Sequence, residues 1–81
     1  MTLTVQFFAR ARDLAGCSSV EVELPDGATV AQLRRTLAEQ IPALEPILPT
    51  LFVAVNNDYA SDEAVIPNDA QVACFPPVSG G

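Results

Sequence analysis

Lysine and histidine are absent from this chain of 81 residues, and cysteine occurs only twice. Without histidine the ordinary general base is missing, and two cysteines cannot assemble a Cys/His zinc site or the four thiolates of an iron–sulfur cluster. Catalysis by the chain itself is therefore not expected, nor is a tightly bound cofactor. The missing lysines have a further consequence: an activated acyl group at the C-terminus would find no amine here except the α-amino group, which suppresses self-acylation. An arginine-biased composition produces the same absence, so it is a compatible detail only. Positive charge is scarce. Arg10, Arg12, Arg34 and Arg35 stand against ten acidic residues, for a net charge of −6. That balance repels phosphate backbones, argues against nucleic acid and anionic membranes, and favours a basic protein surface as partner. No run of ~18 apolar residues exists, and the Met1-Thr2-Leu3-Thr4 start lacks a basic region leading into an apolar one. These features point to a soluble, cytoplasmic protein.

What the chain does have is a diglycine end on a stiff stalk. Phe75-Pro76-Pro77-Val78-Ser79 cannot continue as helix or central strand, and Gly80-Gly81 follows at once. Two glycines make the thinnest and most permissive tail available, able to enter a slot that would exclude any side chain. Pro76 and Pro77 fix φ and favour an extended path, which lowers the entropy lost when a partner captures the tail. From Pro76 to Gly81 the reach is roughly 20 Å at ~3.3 Å per residue. Small residues also gather at frayed chain ends, and the Pro-Pro stalk is what argues against that plainer reading.

The periodicities upstream describe one mixed α/β unit over residues 1–81, with 76–81 as a flexible tail. Such a length gives one core, with little room for an enclosed site. Leu3, Val5 and Phe7 alternate with Thr4, Gln6 and Phe8, a strand signature; because Phe7 and Phe8 are both apolar, a central strand covered on both faces is expected. Residues 10–15 form a short polar stretch that a helical turn would suit, ended by Gly16. Val20, Val22 and Leu24 alternate with Ser19, Glu21 and Glu23, a strand with one wet face. After the Pro25-Asp26-Gly27 turn, Thr29 and Gln32 have capping-box spacing, and Val30, Leu33, Leu37 and Ile41 make an apolar helical stripe with Arg34, Arg35 and Glu39 facing water. Pro42 ends that helix. Pro46 and Pro49 keep the next segment irregular, and Leu51 to Val55 reads as a strand buried throughout. Asn56-Asn57-Asp58 marks a turn tolerant of positive φ, residues 59–65 supply a short edge segment, Pro67-Asn68-Asp69 turns again, and Gln71 to Phe75 is the last strand. A first hairpin, one main helix and a returning sheet of four to five strands are the ingredients of an α+β β-grasp fold.

Within that frame Cys74 reads as a small buried hydrophobe and Cys17 as a thiol near a loop, both reduced in a cytosolic chain. Asp58, Asp62 and Glu63 lack any fixed ligand spacing and read as a solvated acidic turn, so no metal site is expected. If Val72 and Cys74 face the helix, Ala73 and Phe75 share the open face, where an aromatic beside a deliverable tail would anchor a partner. Arg10 and Arg12, just after the first strand, could supply ion pairs at the edge of such an interface, although solvated surface charge is the better account of them.

The Phe75-Pro76-Pro77-Val78-Ser79-Gly80-Gly81 end, with Val5-Gln6-Phe7-Phe8-Ala9 at the start and Ala54-Val55-Asn56 in the middle, resembles the small sulfur-carrier subunits of molybdopterin synthase over the whole length. One departure lies at Asn68-Asp69-Ala70-Gln71, where that family often has an Asp-Gly turn; Asp69 then takes the glycine position, and Asp tolerates positive φ better than most residues. The resemblance implies that an E1-like adenylyltransferase uses ATP to adenylate Gly81, and that sulfur replaces AMP to give a thiocarboxylate. It further implies that the tail enters the large synthase subunit, in a 2+2 heterotetramer, and donates sulfur to cyclic pyranopterin monophosphate. Gly81 would carry the sulfur, Val78, Ser79 and Gly80 would thread the tail, and Phe75, Pro76, Pro77, Arg10 and Arg12 would contact the partner, which supplies the catalytic groups. A thiamine-type sulfur carrier, a ubiquitin-like protein modifier and a plain interaction domain remain open alternatives, separated by the acceptor enzyme, by amide-linked adducts and by whether the tail is dispensable.

Overall fold

The computed structural model describes residues 1–77, so Val78, Ser79, Gly80 and Gly81 lie outside the described residues. In chain order the elements are β1 (Thr2–Phe7), α1 (Ala9–Ala15), β2 (Ser19–Glu23), α2 (Val30–Gln40), 3₁₀ turns at Pro42–Leu44 and Leu48–Thr50, β3 (Phe52–Val55), β4 (Asp58–Tyr59) and β5 (Gln71–Phe75). The strands form one sheet in the order β2-β1-β5-β3-β4, with β1 and β5 parallel and the other neighbours antiparallel. This is the expected β-grasp arrangement.

Each element follows from local chemistry. In β1 the alternation is clean: Leu3, Val5 and Phe7 are buried while Thr2, Thr4 and Gln6 are exposed. The strand is central, between β2 and β5, but it is not covered on both faces as the Phe7-Phe8 pair suggested. Pairing stops at Phe7, and Phe8 becomes the residue that starts α1, 47% exposed. Ala9 then takes φ 53°, a left-handed value that costs a residue with a Cβ roughly 1 kcal/mol. The sharp turn is held by the Phe8 N–H, which donates to the Cys74 carbonyl at 3.1 Å, and by the Ala11 N–H, which donates to the Phe8 carbonyl at 3.1 Å. Gly16, at φ 75°, closes α1 by donating to the Arg12 carbonyl.

Helix α2 begins at the predicted capping box. The Thr29 hydroxyl accepts from the Gln32 N–H at 3.3 Å and the Gln32 carboxamide accepts from the Thr29 N–H at 2.8 Å. Further amides of the first turn are satisfied from outside, Val30 by the Ala64 carbonyl and Ala31 by the Asp62 carbonyl. Val30, Leu33 and Leu37 are buried against Leu3, Val5, Phe7, Val22, Val53, Val72 and Cys74, and they form the core together with Leu44, Leu48 and Ile66. Burying each large aliphatic side chain contributes about 1.5–3 kcal/mol. Arg35 and Glu39 are exposed as expected. Arg34 is not simply solvated: its Nε donates to Asp62 Oδ1 at 2.8 Å and its Nη1 donates to the Leu48 carbonyl. One guanidinium thus ties α2 to both the proline-rich segment, through the Leu48 backbone carbonyl, and the loop after β4, through the Asp62 carboxylate.

Strand β3 departs from the buried run expected of Leu51 to Val55. Leu51 and Val53 are buried, yet Phe52 is 45% exposed, because the sheet has helices on one side only. Strand β4 is two residues long, and the rest of the segment meets the body through a bridge between Thr29 and Val65. The turns are as chemistry required: Asn56 (φ 52°), Asn57 (φ 71°) and Asp69 (φ 63°) all adopt left-handed values, so Asp69 does occupy the position where a glycine would be unstrained. Asn56 also accepts from the Gln71 N–H at 2.9 Å and donates its own N–H to the Gln71 carbonyl, which pins the start of β5.

Replacing Thr29 with Ala should cost about 1 kcal/mol in urea unfolding, whereas Thr29→Ser should stay within a few tenths. Equal losses for the two variants would show that the cap bond is not what sets the helix start.

Candidate functional site

The parallel register of β1 with β5 brings Phe7 opposite Cys74, so both strands finish at the same end of the sheet. The chain leaves β5 at Phe75, and Phe8 with α1 leaves β1 beside it. Phe75, Pro76, Pro77, Arg10 and Arg12 therefore belong to one end of the molecule. Phe75 is half-buried and Pro77 exposed. Arg10 and Arg12 are exposed on α1, and neither forms a salt bridge among the described residues. Phe75 pairs directly with Phe52 across the β5–β3 ladder, and Tyr59 stands on the neighbouring β4 opposite Ala54.

Three aromatic rings meet on this open face. Ring centroids are 5.5 Å apart for Phe52 and Tyr59, 6.1 Å for Phe52 and Phe75, and 5.7 Å for Tyr59 and Phe75, all tilted at 45–52°. Tilted rings at this spacing attract through their quadrupoles, so the group holds its shape although Tyr59 is 73% exposed. A preformed aromatic surface loses little entropy on docking. Sequence reasoning singled out Phe75 and missed Phe52 and Tyr59. The missed signal lay in the period-2 alternation of Leu51-Phe52-Val53, which puts Phe52 on the face of Phe75 once Val53 is taken as core.

Across the same face the composition changes. Thr2, Thr4 and Gln6 of β1 lie opposite Glu23, Glu21 and Ser19 of β2, so the sheet runs from an aromatic corner at the tail exit to a polar and acidic far edge. Thr2 Oγ1 donates to Glu23 Oε1 at 3.1 Å there. A shallow depression on the polar part of the face is lined by Thr2, Thr4 and Gln6 of β1 and by Asp69 and Gln71 at the start of β5.

The two cysteines differ as expected. Cys17 is exposed, and Cys74 is buried in the core. Burial pushes the Cys74 thiol up to about 11, against the opposing pull of the Arg34 charge. Asp62, one of the acidic residues of the 58–63 segment, is committed to Arg34. No group of three or more His, Cys, Asp or Glu side chains is placed to hold a metal among the described residues. No helix among them is long and apolar enough to cross a membrane.

Known proteins resemble this chain along its whole length. The ThiS family matches residues 5–81. A molybdopterin synthase sulfur carrier subunit from Haemophilus influenzae is 37% identical over 81 residues, covering 98% of this chain and 99% of that protein. One of the same name from Chlamydomonas reinhardtii is 34% identical over 83 residues, covering 100% of both. Among solved structures, SAMP1 from Haloferax volcanii, the small archaeal modifier protein 1, superposes with a TM-score of 0.89 at 28% identity over 100% of both chains.

In native protein at pH 8, a disulfide reagent should modify one thiol, Cys17, and a second only after unfolding. The raised value of Cys74 also sets a sign. Its neutral form is favoured by folding, so the associated stability is complete below about pH 9 and declines as pH rises toward 11, by up to about 2–3 kcal/mol. Urea titrations at pH 8 and pH 10.5, compared with Cys74→Ala, read that loss; a loss of the same size in the Ala variant would assign it elsewhere.

Proposed function

The chain belongs to the ThiS family, and from that membership we propose that it is the sulfur-carrier subunit of a molybdopterin synthase, presenting Gly81 as the atom-bearing end. The observation that carries this reading is the Phe75-Pro76-Pro77-Val78-Ser79-Gly80-Gly81 segment, launched from β5 beside the aromatic surface. The curated relatives of that name, alike end to end, support it.

The chemistry needs a carrier because a carboxylate is inert to sulfur nucleophiles. An activating enzyme of the E1 type would transfer AMP from ATP to Gly81 with loss of pyrophosphate, making a mixed anhydride. A sulfur donor then displaces AMP, and the tail becomes a thiocarboxylate. Each sulfur passed to the pterin substrate returns the tail as a carboxylate, water supplying the oxygen. This chain's own work is binding and delivery. The three aromatics dock the large subunit, Pro76 and Pro77 restrict the conformations the tail must lose, and Gly80 admits the backbone where a Cβ would collide with a slot wall. With no histidine in the chain, proton transfers fall to groups of the partner.

A second reading, protein modification, is favoured by the likeness to SAMP1. It uses the same activation and differs in the product: Gly81 joined by an amide to a lysine of another protein.

Two measurements separate these readings. In a synthase reconstituted from the large subunit, the thiocarboxylated chain and the pterin substrate, wild-type chain should form product, and a chain lacking Gly81 should form none while still binding the large subunit within about threefold of wild type. Turnover by the truncated chain would rule the carrier reading out, and Gly81-linked lysine peptides in cell digests without any synthase activity would establish the modifier. Replacing Phe75 with Ala should weaken that complex by about 2 kcal/mol, roughly 30-fold, as expected for a central aromatic anchor.

A further inference from the structure

The two edges of the sheet are unlike. On one side β4 offers a ladder only two residues long, Asp58–Tyr59, whereas on the other β2 runs for five, Ser19–Glu23. The bonds to β1 show which way the β2 backbone faces. Met1 and Leu24 exchange both bonds, the amino group donating to the Leu24 carbonyl at 2.6 Å and the Leu24 N–H to the Met1 carbonyl at 2.9 Å; at the other end the Phe7 N–H donates to the Ser18 carbonyl at 2.8 Å. Antiparallel pairs alternate, so Val20 and Val22 also turn their backbone groups toward β1, while Ser19, Glu21 and Glu23 turn theirs away from the sheet. Of those outward groups only the Glu21 carbonyl has a partner among the described residues, the Gln40 side-chain amide at 3.2 Å. The rest form a template for one more strand.

The side chains select that strand. Glu21 and Glu23 are exposed on the open face, at alternate positions, and neither is in a salt bridge among the described residues. Their cross-strand neighbours, Thr4 and Thr2, are uncharged. The amino group at the Glu23 end is taken by Leu24 and Asp26, Glu39 beside Gln40 is another exposed acid, and Arg12 borders the corner at Ser18 and Ser19. A second copy of this chain laid against the same edge would set Glu21 and Glu23 against like charges, which disfavours self-pairing. A strand with cations at two alternate positions meets both carboxylates, and the residue between them falls on the other face, beside half-buried Val20.

We propose that the β2 edge docks an extended basic segment of a partner protein, added antiparallel with Lys or Arg opposite Glu21 and Glu23 and an apolar residue between, and that this segment displaces Gln40 from the Glu21 carbonyl. Strand β1 separates this edge from β5, so the surface lies apart from the tail exit and the aromatic group, and the proposal stands independently of the carrier chemistry. Main-chain bonds supply the affinity of such a complex, and the paired charges fix its register.

The probe is a capped peptide, acetyl-Thr-Val-Arg-Val-Arg-Val-Thr-amide, titrated into the isotope-labelled full chain and read by NMR. Amide exchange at Ser19, Glu21 and Glu23 should slow about tenfold or more at saturation. Methylating the two arginine amide nitrogens keeps the charge and removes the ladder donors; this peptide should bind about tenfold more weakly and give no protection. Glu21→Gln/Glu23→Gln should weaken binding about fivefold. Gln40→Ala should strengthen it about threefold, because no bond to Glu21 has to be displaced, a change that charge attraction alone does not produce. Every changed side chain is exposed, and urea midpoints near wild type confirm that the variants fold. Equal binding of the methylated peptide, equal binding of an analogue with Glu in place of Arg, or binding without slowed exchange overturns the proposal. Slowed exchange at this edge when the chain alone is concentrated overturns it in favour of a second copy.

Discussion

Parallel pairing of β1 with β5, from Thr4 opposite Gln71 to Phe7 opposite Cys74, is the constraint on which the working end of this molecule depends. An antiparallel partner would have sent the last strand toward the opposite end of the sheet, where β1 begins. Because the two strands run the same way, the chain leaves β5 at the place where Phe8 and α1 leave β1, and the Phe8 N–H bond to the Cys74 carbonyl fastens the two exits together. The left-handed Ala9 is tolerated at that junction because this bond and the packing of Ala11 over-determine it. Parallel pairing in turn requires a long crossover, which α2, its capping box and the proline-rich segment supply. Arg34 fixes the far side of that crossover by holding Leu48 and Asp62 at once.

The same asymmetry explains how a small chain keeps a functional face free of its core. Both helices pack on one side, so the buried set of Leu3, Val5, Phe7, Val72 and Cys74 alternates strictly with side chains released to the other side. Those released side chains differ by position. Threonine, glutamine and glutamate hold the β1–β2 region, and Phe52, Tyr59 and Phe75 collect where the tail begins. An exposed aromatic group is a liability for an isolated protein, and it is tolerable here because only one corner of an otherwise acidic surface carries it.

Much of this was legible in the residues. Turn chemistry at Asn56-Asn57 and Asp69, the Thr29–Gln32 cap and the alternation of Leu3, Val5 and Phe7 are local rules, and the structure obeys them. The failures share one cause. Phe8 and Phe52 were read as core because an apolar run in a strand looks the same whether its second face is covered by a layer or by nothing. Only the placement of both helices on one side settles that question, and it is a long-range property. Arg34 was read as solvated for the same reason, since its acceptors at Leu48 and Asp62 are 14 and 28 residues away in sequence. The Phe75-to-Gly81 motif was legible for the opposite reason: its chemistry is local and needs no fold to be read.

The central claim is that sulfur is carried on Gly81. The direct measurement is the mass of the C-terminal peptide after incubating the purified chain with ATP, an E1-like activating enzyme and a sulfur source. Oxidation of Met1 or a cysteine adds nearly the same mass as exchanging oxygen for sulfur, so fragment ions must assign the change and thiol alkylation must confirm it. One new sulfur confined to Gly81 is the expected result. An unmodified Gly81, with the activating enzyme shown to be competent on another carrier, would contradict it.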